Sequence, residues 1–205
     1  MLQFYKDNMK LVHKFVLNQV AIGLFGFMVV FVMSSFGFAA EMAATVFSTL
    51  FFLSLLYDNA WDEGARDKNR ISNGRMEFKP FLGAKIALMA YIPTFVLLFF
   101  SLVNGILELF GITFMNGVCL VTNAIVLFFS HGMYLGFSSW YNTLLGTGYS
   151  SIFLTLFFFA LMIPAIFAYT LGYYLGAKDL QIKMLFGAAP SNDAPKKKND
   201  APPKK

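Results

Sequence analysis

Charge is what this sequence has least of. Only 13% of its 205 residues are Asp, Glu, Lys or Arg, about half the ~25% of an average soluble protein. A soluble globule must cover its surface with polar groups, and this chain lacks them. The shortage excludes a soluble enzyme, a disordered chain and a free-standing nucleic-acid binder. Cysteine is scarcer still. Cys119 is the only one, so no intrachain disulfide can form. Nucleophilic use of Cys119 would need an activating base, and the sequence places none beside it. The two histidines, His13 and His131, form no zinc-ligand spacing. No Walker-type phosphate loop occurs either. Apolar residues, by contrast, make up 58% of the chain, with 26 Phe and a mean hydropathy of +0.62. The expected fold class is therefore all-α: a polytopic integral membrane helical bundle.

The few charges are segregated. Residues 1–14 hold four, residues 58–85 hold eleven, residues 178–205 hold ten, and only Glu41 and Glu108 lie elsewhere. All sixteen Lys and Arg fall in those three segments. A charge at mid-bilayer costs roughly 2.5–3.5 kcal/mol on insertion scales. The stretches 15–57 and 86–177 are accordingly the membrane part. A spanning helix needs about 20 apolar residues. The first stretch holds two spans, Phe15–Met33 and Glu41–Leu56, joined by a tight turn at Ser34-Ser35-Phe36-Gly37. The run from Phe15 exceeds the ~7–15-residue core of a signal peptide and another span follows directly, so a cleaved leader is not expected.

The second stretch holds strong apolar segments at 84–103, 117–137 and 150–176, and a shorter Gly-broken piece at 104–116. Trp140, Tyr141 and Tyr149 suit the headgroup interface. The count is five or six hydrophobic segments. All three basic segments favour the cytoplasm, yet three crossings after residue 85 would put Lys178 and Lys183 outside. Either 104–116 helps form a sixth crossing or a re-entrant loop, or the C-terminus is external.

The expected organisation follows. Residues 1–14 form an amphipathic cytoplasmic N-terminus, with Lys6, Lys10 and Lys14 aligned on one face for an anionic lipid surface. Residues 15–57 form a two-span hairpin, 58–83 a charged cytoplasmic loop, and 84–177 three or four spans. Residues 178–205 form a Lys-rich tail whose repeat Asn-Asp-Ala-Pro carries too little apolar content to fold, and its lysines are a second expected contact with anionic lipid. Within the loop, Asp62/Arg66, Glu63/Arg66 and Asp67/Arg70 lie three or four apart, the spacing of a helical ladder of opposite charges. Asn73-Gly74 predicts a turn. Arg75-Met-Glu-Phe-Lys79 alternates like a short strand, and Pro80 suits the first turn of the next helix.

Candidate chemistry is sparse. The acidic residues near Asp58 echo a phospho-alcohol transferase motif at Gly64-Ala65-Arg66. The second carboxylate pair that would hold two metal ions is replaced by Phe78 and Leu82. No catalytic residue, metal site or cofactor is predicted, no specific nucleic-acid contact is expected, and the balance is against an enzyme. The intramembrane polar candidates are Glu108, Asn123 and His131. Gly132/Gly136 and Gly172/Gly176 are small-x-x-x-small motifs for close helix approach. Pro93 and Pro164 are expected to kink their spans.

The islands Trp61-x-x-Gly64-Ala65-x-Asp67-x-x-Arg70, Gly74-Arg75, Gly132-Met133-Tyr134 and Gly172-Tyr-Tyr-Leu-Gly-Ala-Lys178 together resemble a group of small multi-span membrane proteins of Gram-positive bacteria. The resemblance implies a bacterial plasma-membrane protein and brings no activity with it. Of three functions, a membrane-embedded enzyme acting on lipid ranks last, because the clustered acid, base or metal ligands it needs do not occur in the sequence, and two lead. One is a non-enzymatic subunit docking a membrane or cytoplasmic protein through Trp61, Asp62, Arg66, Asp67, Arg70 and Arg75. The other is a small transporter or channel with a path near Glu108, Asn123 and His131.

Overall fold

The computed structural model describes residues 2–112, 116–145, 151–178 and Leu180. The Lys-rich tail expected over 178–205 falls outside these residues, Lys178 and Leu180 excepted. Seven α-helices follow one another: α1 (Leu2–Ser34), α2 (Phe38–Ser72), α3 (Leu82–Ala90), α4 (Ile92–Leu109), α5 (Asn116–Val126), α6 (Leu135–Leu145) and α7 (Ser151–Ala177). A π turn, Leu127–His131, and a 3-10 turn, Gly132–Tyr134, link α5 to α6.

Five helical stretches are long and apolar enough to cross a membrane: Gln3–Ser34, Phe38–Ser72, Ile92–Leu109, Gly117–Tyr141 and Ile152–Ala177. Their outer faces carry exposed Met28, Phe31, Phe47, Phe99, Leu120 and Phe167. Patches of this kind are not tolerated on a soluble monomer, and lipid is the solvent that covers them. In lipid each span must satisfy its own backbone, which is why the apolar stretches are helical. The chain is a multi-pass membrane protein with an all-α bundle.

The bundle is organised around α7. Tyr57 and Ala60 of α2 meet Gly172, and Trp61 meets Gly176. Contacts that advance together make α2 and α7 parallel. Gly83 meets Thr170 and Tyr173, Phe95 stacks on Phe159, and Gly105 meets Ile152. That reversed order makes α3 and α4 antiparallel to α7. The two helices break at Tyr91, whose N–H still reaches Ala87 (3.0 Å). Pro93, in the first turn of α4, has no N–H to continue the ladder. Phe15 of α1 closes the core with edge-on contacts to Tyr91 and Tyr169. One end of the bundle thus gathers the start of α1, the end of α2, the start of α3 and the end of α7. The opposite end gathers the α1–α2 turn at Gly37 (φ 100°), the end of α4 and the start of α7.

The stretch 75–79 is a departure from the sequence reading. It is bent and extended chain, and no strand occurs among the described residues. A lone alternating segment has no edge to pair with. Met76 is held by contact with the core and Phe78 by the ring of Tyr174.

Candidate functional site

Two regions hold the polar side chains that the sequence singled out. The first is the charged end of the bundle. α2 runs for 35 residues, about 52 Å at 1.5 Å per residue. The ~30 Å hydrocarbon core uses about 20 of these, so the last turns project past it. They do not project alone. Gly64 lies against the backbone of Tyr173, Gly176 and Ala177, while Gly176 lies against the carbonyl of Trp61. The backbones touch where side chains would hold them apart. This is a reciprocal small-residue contact, Ala60/Gly64 on α2 against Gly172/Gly176 on α7.

Polar contacts lock the same face. Tyr173 donates its hydroxyl to Asp67 Oδ2 (3.0 Å), and Arg70 donates to Asp67 Oδ1 (3.2 Å). The indole N–H of Trp61 donates to the carbonyl of Leu180 (2.9 Å). Lys178 sits over the Tyr174 ring, 4.5 Å from its centroid, a cation–π contact. α2 then stops at a Schellman motif: Gly74, at φ 67°, donates to Ile71 (3.0 Å) and Arg75 donates to Arg70 (2.9 Å). The predicted turn at Asn73-Gly74 is this cap.

The opposite face of α2 is solvent-facing. Asp58, Asp62, Arg66, Asn69 and Arg70 are exposed along it. Arg66 donates to Glu63 (3.0 Å), but its side chain is 69% exposed and that of Arg70 67%, against 11% for Asp67. Exposed pairs of this kind contribute about 0–1 kcal/mol, so both guanidinium groups remain available to a partner. The six residues of the predicted docking set therefore divide. Asp62, Arg66, Arg70 and Arg75 are exposed, whereas Asp67 is buried and Trp61 is tied to the end of α7. Every Lys and Arg among the described residues lies at this end, on α1, α2 or α3, in the connection before α3, or just past α7 at Lys178.

The second region is the break between α5 and α6. A π turn widens the helix and a 3-10 turn tightens it again, an irregularity that marks functional sites more often than chance. It is wedged against α1. Gly132 meets the carbonyl of Gly23, and Gly26 meets Met133. The N–H of Gly136 donates to Thr45 Oγ1 on α2 (3.1 Å). Around the break are buried polar groups. Gln19 donates to Ser130 at close range, Thr94 donates to Ser130 (3.3 Å), and His131 Nε2 donates to the carbonyl of Phe158 (3.1 Å). One rung further along, Ser101 donates to Asn123 Oδ1 (2.6 Å) and lies 3.1 Å from Cys119 Sγ.

The three intramembrane candidates are thus strung out, not gathered. His131 adjoins the Thr94 rung, Asn123 the Ser101 rung, and half-buried Glu108 lies seven residues further along α4. At 1.5 Å per residue the line is about 21 Å long. Among the described residues no three His, Cys, Asp or Glu come together as a metal site. Sequence reasoning missed Gln19, Thr45, Thr94 and Ser101. The signal for two of them was present: Thr94, Ser101 and Glu108 recur every seven residues, as do Asn123 and Ser130. That spacing returns each set to one helix face.

The chain matches no family model, no curated protein and no solved structure among known proteins.

Proposed function

We propose that this protein is a non-enzymatic plasma-membrane subunit that docks a partner protein through the solvent-facing charges of α2. Asp62, Arg66 and Arg70 form the stripe, and Arg75 extends it past the cap. One observation carries the reading: α7 grips α2 from Tyr57 to Asp67 while the other face of the same turns stays in solvent. A surface held rigid before binding loses little entropy on docking. Its mixed charges select partner and register. Trp61 and Asp67 position the stripe without touching the partner. The basic end faces the cytoplasm, by the positive-inside rule, and the exposed Lys6, Lys10 and Lys14 rest on anionic headgroups.

Purification of the tagged protein from its own membrane in mild detergent tests this. A stoichiometric partner should accompany the wild type. Arg66→Glu with Arg75→Glu, two exposed positions outside the Asp67 contact, should lose it by tenfold or more while keeping the same thermal unfolding profile. A partner retained at full yield would remove the stripe from the interface.

The broken α5–α6 element favours a second reading, a transporter or channel whose path runs by Glu108, Asn123 and His131. Irregular backbone at membrane depth occurs where it is buried in protein or lines a cavity. On this reading, liposomes holding only this protein conduct a solute, and Asn123→Leu cuts the flux at least tenfold. Liposomes as tight as protein-free ones would discard the path.

A further inference from the structure

We propose that residues 116–145 are a re-entrant element that dips in from the end opposite the basic residues and returns to it, so that only α1, α2, α3–α4 and α7 cross the membrane. By length and composition this stretch passes for a fifth crossing. Its contacts are those of a V. On the way in, Asn123 pairs with Ser101 and Ser130 with Thr94. The partner on α4 moves away from that helix's end as the chain advances, so α5 descends alongside α4. At the tip, His131 bonds to Phe158, seven residues into α7. That is about 10 Å below the start of α7.

Beyond the tip the order reverses. Gly136 meets Thr45 and the carbonyl of Glu41, close to the start of α2. Tyr141 stacks on Phe157 and donates to the carbonyl of Phe153 (3.1 Å), back toward the start of α7. Asn123 and Tyr141, 18 residues apart in the chain, therefore lie at similar depths. The turn is made where the π and 3-10 segments meet, at His131 with φ −122° and ψ 10°.

Chain length gives an independent check. α7 begins beside Gly105, near the end of α4. Six peptide steps from Leu145 to Ser151 span at most about 21 Å. They cannot bring a chain that has crossed a ~30 Å hydrocarbon core back to that point. The gap of four steps from Ile112 to Asn116 likewise ties the start of α5 to the end of α4.

The V also removes the conflict in the charge pattern. With four crossings, the start of α1, the connection 73–81 and the end of α7 share one side. Lys178 then joins Arg66, Arg70 and Arg75 there, as the positive-inside rule asks. The tip, with Gln19, Thr94, Ser130 and His131 around it, is buried inside the bundle. This inference stands apart from both functional readings.

The test compares sidedness without assuming an orientation. Cys119→Ser keeps a hydroxyl partner for Ser101 and supplies a background free of cysteine. Ser35→Cys, Arg75→Cys, Thr143→Cys and Lys178→Cys each place one thiol at an exposed position. The variants are labelled with a membrane-impermeant maleimide in right-side-out and in everted vesicles. The V predicts that position 143 labels from the same side as 35, and 178 from the same side as 75, each with at least tenfold preference. A five-crossing chain exchanges the two, placing 143 with 75 and 178 with 35. Any pairing other than the predicted one overturns the proposal.

Discussion

Gly176→Leu should leave little folded protein. At this position α7 lies on the carbonyl of Trp61, and a Cβ would overlap backbone, which cannot move aside as a side-chain tip can. Overpacking of a well-packed core costs about 1–3 kcal/mol when neighbours can adjust. Here the two helices must separate, and separation also breaks the Tyr173–Asp67 and Trp61–Leu180 hydrogen bonds. Detergent-purified variant should show a monodisperse yield reduced by tenfold or more and a thermal transition at least 10 °C lower. Gly117→Ala is the control, because a Cβ there meets nothing within 4 Å. That change should be neutral or stabilise by up to about 1 kcal/mol, since Ala is the better helix former. Equal behaviour of the two variants would refute the close approach of α2 and α7.

The second large effect is at Asp67. It is 8% exposed and its carboxylate accepts from Tyr173 and Arg70 on its two oxygens. Tyr173→Phe removes one donor and leaves a charged oxygen under-satisfied. The expected loss is about 1.5–3 kcal/mol, the range for a hydrogen bond to a charged group. Asp67→Ala strands the Tyr173 hydroxyl and should cost a similar amount. The double variant should cost clearly less than the two singles added, because both remove one interaction. Reversible unfolding in mixed micelles reads all three. Simple additivity would mean that Tyr173 and Asp67 do not act on each other.

Much of this architecture was legible in the residues. The confinement of Lys and Arg to three segments marked the membrane part, because charge at bilayer depth is costly. The motifs Gly132/Gly136 and Gly172/Gly176 marked close approaches, and both are used, against α1–α2 and against α2. Their partners were not legible. That Gly172 and Gly176 meet Tyr57, Ala60 and Trp61 is a contact between elements more than a hundred residues apart, which spacing within one helix cannot encode. Trp61 shows the consequence: its local neighbours make it an exposed interfacial aromatic, whereas the distant Leu180 carbonyl takes its N–H. Periodicity misled at Arg75–Lys79, where alternation lacked a second strand. The run 117–137 read as a continuous apolar segment because hydropathy averages over the break at Leu127–Tyr134. Only the tertiary contacts of Asn123, His131 and Tyr141 reveal where its chain turns.

If the exposed charges of α2 dock a partner, crosslinking inside the native membrane captures it. A photoreactive residue replaces Arg66, on the solvent face of α2, or Leu50, exposed on the apolar face of the same helix. Irradiation at position 66 should yield one discrete protein adduct, lost when Arg75→Glu is added, while position 50 should yield lipid adducts. Protein adducts equally abundant from both positions, or none from position 66, would contradict the account.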